Sequence, residues 1–100
     1  MSKLGFHAFM PNTITLAARM NFQATRDLHS RLSEQSSQDV EIDASSVDFL
    51  GGLAAQTLIA ASRHWRASGS AFAITGASAA FRQCLRELGL ATYLPIDGGA

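Results

Sequence analysis

The chain has 100 residues and a mass of 10.6 kDa, enough for one domain and too little for two. Eight Lys and Arg balance eight Asp and Glu, which removes the electrostatic footprint that nucleic acid or an anionic membrane surface demands. Apolar runs are interrupted well short of the ~20 residues that span a bilayer, and Met1 to Met10 lacks the sustained apolar region of a signal peptide, so a cytoplasmic chain without membrane insertion is expected.

Apolar periodicity predicts the order β-β-α-β-α-β-α in a single domain over residues 1–100. Leu4 to Met10 is a candidate first strand ended by Pro11 and Asn12, and Thr13 to Ala17 alternates as a second. Thr25 is the candidate N-cap of a helix carrying Leu28 and Leu32, which the polar stretch Ser33 to Gln38 ends. Val40 to Ala44 alternates like a strand, and after Val47 and Phe49 the pair Gly51-Gly52 permits a tight turn into the longest helix, which runs to about Ala67 before Ser68-Gly69. At about 100° per residue, Ala54, Ala55, Ala61, Ser62 and Trp65 fall within about 60° of Leu58 and define its buried stripe, while Leu53, Gln56 and Ala60 point away. Ala71 to Thr75 is a short apolar strand. Ser78 is the N-cap of a last helix bearing Phe81, Cys84, Leu85 and Leu88, with Gly89-Leu90 as its C-terminal cap and Tyr93 to Ile96 as a final strand or docking segment.

Strands alternating with helices in this way imply an α/β fold with parallel pairing. The expected core is Ile14, Leu16, Leu28, Leu32, Ile42, Leu58, Trp65, Phe72, Ile74, Phe81, Leu85 and Leu88. Cys84, the single cysteine, is expected to be a buried structural thiol.

The residues that carry chemistry are scattered. His7, His29 and His64 fall on three different elements with no second ligand at metal-binding spacing, so no metal site is expected. Ser36-Ser37 and Ser45-Ser46 lack a nucleophile-elbow context, Gly51-Gly52 and Gly98-Gly99 lack the lysine of a phosphate-binding loop, and Asp43 and Asp48 read as turn formers. No enzyme activity and no cofactor are expected; a small hydrolase or acyl-transfer protein would require a clear pocket with converging polar groups.

Val40-Glu41-Ile42-Asp43, then Ser45-Ser46-Val47-Asp48-Phe49-Leu50 leading into a helix, then Gly69 before Phe72-Ala73-Ile74, then Ser78 and Leu88-Gly89-Leu90 occur in an order and spacing that resembles the STAS domain. The resemblance covers Thr13 to Leu94. STAS domains are the module of anti-sigma-factor antagonists and related bacterial partner-switching proteins, and the resemblance implies a small mixed, mostly parallel sheet of four to five strands, antiparallel in its N-terminal part, with helices packed against it. In phosphorylatable members the turn before the long helix carries an Asp-Ser-Ser-Gly or Asp-Thr-Ala-Gly type sequence whose Ser or Thr is modified by a partner kinase. Here the turn reads Gly51-Gly52-Leu53-Ala54, with the acid's place taken by Gly51 and the acceptor's by Leu53. Leu50-Gly51-Gly52 followed by Gln56 and an alanine-rich helix looks like the STAS proteins associated with bacterial chemotaxis gene clusters.

The resemblance implies a partner that is another protein: a kinase-like anti-sigma factor, a chemotaxis component or, for a STAS subunit of a larger assembly such as a lipid-transport ATPase, a neighbouring subunit. The expected partner surface is the entry to the long helix, Asp48, Gly51, Gly52, Leu53 and Gln56, with Gly76 and Ser78 on the neighbouring loop. Leu53 lies about 140° from the Leu58 stripe, so an apolar side chain faces outward where the family presents its acceptor. Ser45, Ser46 and Ser78 are the candidate displaced acceptors, and no switching at the usual site is expected.

Overall fold

A computed structural model describes residues 12–36, 38–94 and 96. The expected strand at Leu4 to Met10 lies outside the described residues, and so does the antiparallel N-terminal part that the resemblance implied.

Three strands, β1 (Asn12–Thr15), β3 (Val40–Asp43) and β5 (Phe72–Thr75), form a parallel sheet in the order β1-β3-β5. The register places Ile14 opposite Ile42 and Ile42 opposite Ile74, so one face carries a row of three isoleucines, all buried. Successive side chains alternate across a strand, and the other face therefore carries Glu41, Asp43 and Thr75; the Thr75 hydroxyl donates to the Glu41 carboxylate at 2.8 Å. The isoleucine row joins Leu28, Leu32, Leu58, Phe81 and Leu85 in one hydrophobic cluster.

A second, two-stranded parallel pair is made by β2 (Arg19–Met20) and β4 (Phe49–Leu50). Neither was expected, because two residues are too short to show a period. Arg19 pairs with Phe49, and its guanidinium sits 5.0 Å from the centre of the phenyl ring, a cation–π contact. This ribbon matters because each strand is followed, after one capping residue, by a helix. Asn21 caps α1 (Phe22–Glu34) and Gly51 caps α2 (Gly52–Ser68), so the two helices start side by side.

The N-cap of α1 corrects the expectation of Thr25. The Asn21 side chain accepts from the Ala24 N–H at 3.0 Å, and Thr25 is a buried residue of the first turn whose hydroxyl donates back to the Asn21 carbonyl at 2.7 Å. Asn is as strong an N-cap as any residue, and stronger than Thr. The first described strand also begins one residue earlier than expected and ends at Thr15, although the Leu16 N–H continues the ladder to the Asp43 carbonyl.

Along α2 the expected stripe holds: Ala54, Ala55, Leu58, Ala61, Ser62 and Trp65 are buried, with Ile59 added, and Leu53, Gln56 and Ala60 are exposed. The helix stops at Gly69, whose φ of +80° is open to glycine and strained for other residues. Helix α3 (Ala79–Glu87) is capped by Ser78, and the Leu90 N–H folds back to the Leu85 carbonyl at 2.9 Å. Of the two expectations for Tyr93 to Ile96, a strand or a docking segment, the second fits: a 3₁₀ turn, Ala91–Tyr93, is followed by a single bridge from Ile96 to Ile74.

Three core expectations are corrected. Leu88 is 43 % exposed because it caps α3, and the chain reverses at Gly89 before the helical phase can carry its side chain inward. Phe72 is half-buried at the start of β5, with Trp65 at 5.8 Å between ring centres. Cys84 is half-buried and packs against the cluster from its edge. The core also takes residues not expected there: Met20, Val40, Val47, Leu50 and Leu94.

Candidate functional site

Within each sheet the strands run parallel, and the three helix caps Asn21, Gly51 and Ser78 follow the C-terminal ends of β2, β4 and β5, the kind of position where α/β folds place their sites. Two groups of residues form there.

The first group surrounds Gly51 and Gly52. Gly51 takes φ −72° and ψ 160°, an extended conformation open to any residue, so the sequence-based reason for a glycine here, tight-turn backbone freedom, is replaced by closeness. Its N–H donates to the Met20 carbonyl at 3.1 Å, and a Cβ added to Gly51 would lie 3.1 Å from that same oxygen and 3.6 Å from the Phe49 ring. A Cβ on Gly52 would touch the Leu88 side chain at 3.8 Å. Leu53 follows, 52 % exposed. Phe22 opens α1 and is 64 % exposed. Thus Phe49 and Leu88, exposed apolar side chains that would touch a Cβ on Gly51 and on Gly52, stand with exposed Leu53 at the entry to α2.

The second group holds Gly76 and Ser78. Gly76 has φ +63°, and a Cβ on it would lie 3.3 Å from the Ser45 Cβ, so only a glycine lets the β5–α3 loop approach the β3–β4 turn this closely. Ser78 accepts from the Phe81 N–H at 3.0 Å and donates its hydroxyl to the Val47 carbonyl at 2.6 Å. Asp43 accepts from both the Ser45 hydroxyl, at 2.7 Å, and the Ser45 N–H, at 2.9 Å. The hydroxyl bond first and the N–H bond second hold its carboxyl below the ordinary value of 3.8, against a small opposing effect of burial. These are turn-fastening contacts.

The structure therefore divides the expected surface. Gly51, Gly52 and Leu53 stand together with an apolar rim, whereas Gly76 and Ser78 are tied to the 43–47 turn. Asp48 stands at the join, exposed, with its N–H donated to the Ala18 carbonyl at 2.7 Å, and Gln56 is exposed one turn further along α2. Sequence reasoning missed Phe49 and Leu88. For Leu88 a signal existed: the neighbouring Gly89 marked where the helical phase ends.

Between sheet and helices the space is filled by Ile42, Leu58, Ile74, Phe81 and Leu85, all fully buried. Among the described residues, no three His, Cys, Asp or Glu side chains are grouped so as to hold a metal ion, and no helix is long and apolar enough to cross a membrane.

A protein-family model described as "Mlab, STAS domain" matches residues 7–96. With nine-tenths of the chain inside that match and an α/β fold of parallel strands under three helices, the chain belongs to the STAS domain family. Domains of this family are generally non-catalytic and mediate protein–protein interaction. No significant match was found among curated protein sequences.

Proposed function

We propose that this single domain is a cytoplasmic, non-catalytic interaction module of bacterial signalling, of the anti-sigma-factor antagonist or chemotaxis-associated kind, that docks on a protein partner through the entry to α2. The observation that carries this reading is the grouping of exposed Phe49, Leu53 and Leu88 around Gly51-Gly52. Scattered surface apolar residues are ordinary, but a contiguous group rimmed by polar residues marks an interface. The docking surface comprises Asp48, Gly51, Gly52, Leu53 and Gln56 with that rim; Gly76 and Ser78 support it from the neighbouring loop. Because Gly51 to Ala54 offers no hydroxyl, the module works without a phosphate switch at the family's usual position.

A second reading, a small STAS subunit of a larger assembly such as a lipid-transport ATPase complex, has the same feature in its favour. A permanent subunit needs an apolar contact and no acceptor.

Leu53→Asp tests the docking surface common to both. A carboxylate in the first turn of α2 is favoured by the helix dipole, so folding should survive, whereas burying that charge unpaired against a partner should weaken binding by several kcal/mol. Retention of the native partner by the folded variant, measured by co-purification, would move the interface elsewhere.

A further inference from the structure

Ser62 is the exception among the hydroxyls of α2. Thr57 and Ser68 each donate to the carbonyl four residues back, at 2.8 and 3.0 Å. Ser62 belongs to the buried stripe, 5 % exposed, and its Oγ has no hydrogen-bond partner among the described residues. A hydroxyl withdrawn from water without a partner costs free energy, so in a folded protein such a group points to something that completes it.

Beside it lies a pocket of about 190 Å³ lined by Ser62, Arg66, Ser70 and Phe72. Arg66 follows Ser62 at the i, i+4 spacing that puts two side chains on one face of a helix. Ser70 comes directly after Gly69, the left-handed residue that ends α2, and Phe72 opens β5. The end of the helix, the loop and the start of the strand each contribute one wall.

The lining holds a single formal charge, the Arg66 guanidinium, which forms no ion pair with a described carboxylate. Asp39 accepts from the Ala71 N–H at 2.9 Å, one residue past Ser70, and is not part of the lining. Carbonyls at the end of a helix repel an anion. Two of them here, those of Trp65 and Arg66, are already engaged by the Ser70 and Gly69 N–H groups at 3.1 and 3.2 Å.

These groups decide the occupant. A guanidinium only donates, and the two hydroxyls are ready to donate as well, so the occupant must present acceptors and a negative charge. One guanidinium balances one charge. A dianion would bring a second, unpaired charge against the Phe72 ring, whereas an apolar body would pack on that ring. The size is limiting too: about 150 Å³ admits a benzene molecule, and drug-sized ligands need roughly 300 Å³ or more.

From these observations we propose that this pocket binds a small organic monocarboxylate. Its carboxylate lies against Arg66 and accepts from the Ser62 and Ser70 hydroxyls, and its apolar body, no larger than about one ring, rests on Phe72. The site begins about 15 Å along α2 from Gly52 and is separate from the docking surface at the helix entry.

The probe is benzoate, titrated into the intact protein and followed by amide-resolved NMR, with benzamide as its uncharged isostere. Benzoate should give saturable shifts centred on the N–H groups of Ser62, Arg66, Ser70 and Phe72, and benzamide should bind about tenfold more weakly or worse. Arg66 is exposed and Ala is the best helix former, so Arg66→Ala should fold, and it should weaken benzoate binding about tenfold or more. Arg66→Lys keeps the charge without the planar fork and should fall between. Ser62→Ala separates a binding hydroxyl from a structural one: it should lose affinity severalfold while the urea midpoint stays or rises, because an unpartnered polar group has been removed.

Scattered shifts without saturation, benzamide or inorganic phosphate binding as tightly as benzoate, or affinity indifferent to Arg66→Ala would each overturn the site. So would a Ser62→Ala protein that is less stable and binds benzoate unchanged. Leu53→Asp should leave benzoate binding as it is, so the pocket and the docking surface are tested separately.

Discussion

The Met20 carbonyl oxygen accepts from the Gly51 N–H at 3.1 Å and crowds any side chain there, since a Cβ on Gly51 would stand equally close to it. Alanine at Gly51 meets two penalties with the same sign. It is a poorer N-cap than glycine, and its methyl group presses on a backbone oxygen fixed in the β2–β4 ribbon. Gly51→Ala should lose roughly 1 kcal/mol or more in urea unfolding. Gly51→Asp regains the cap hydrogen bond and should lose less. A Gly51→Ala protein as stable as wild type would show that the ribbon gives way.

Ser78 fastens two loops with one hydroxyl, accepting from Phe81 and donating to Val47. Ser78→Ala removes a helix cap and strands the half-buried Val47 carbonyl, so a loss of about 1–3 kcal/mol is expected in the same assay. Phosphate on this oxygen would require both bonds to break. Phosphopeptide mapping from cells should find no stoichiometric, stimulus-dependent phosphate on Ser45, Ser46 or Ser78.

Asp43 gives a pH signature. Its folded-state pKa lies below the ordinary 3.8, chiefly through the Ser45 hydroxyl. The ionised carboxylate thus favours the folded state above that ordinary value, and the contribution fades as pH falls through the lowered folded-state pKa. Wild type should exceed Ser45→Ala in stability near neutral pH, and the gap should narrow below about pH 4. The pair is solvated, so the gap is small. A gap that widens on acidification would mean the serine supports the turn in some other way.

The interior and the rim should respond differently to truncation. Leu58 is fully buried, and Leu58→Ala is expected to lose about 2–5 kcal/mol. Leu88→Ala, at a partly exposed cap, should lose less than about 1 kcal/mol. Equal losses would return Leu88 to the core and shrink the apolar rim.

What could be read from the residues alone was whatever repeats. Leu58, Ala61, Ser62 and Trp65 recur at helical spacing and identified both the buried side of α2 and the outward direction of Leu53. Ile42 sits in an alternating run and Ile74 in a short apolar one, and both read as strand residues. What escaped lacked a period or depended on a boundary. Arg19-Met20 and Phe49-Leu50 are too brief to alternate, and they become strands only because they pair with one another. Leu88 follows the phase of α3 in sequence, but the helix ends beneath it. Asn21 and Thr25 are both capping residues by type, and only the structure shows which one stands outside the helix. The apolar rim escaped for the same reason: Phe49 and Leu88 are distant in sequence and come to neighbouring glycines, Gly51 and Gly52, through the end of β4 and the end of α3.

The parallel register has a kinetic meaning as well. Asn12 finds its partner at Val40, and Val40 finds its partner at Phe72, each across an intervening helix; the described strands include no hairpin that closes locally. Every pairing among the described strands must therefore wait for a long loop to close before any ladder bond rewards it, which slows folding relative to a domain rich in local contacts. A nascent chain that has not yet emitted Val40 holds α1 but has no partner for β1, and one that stops before Phe72 leaves an edge of β3 unpaired. The isoleucine row, completed only by Ile74, makes sheet assembly a late and cooperative event.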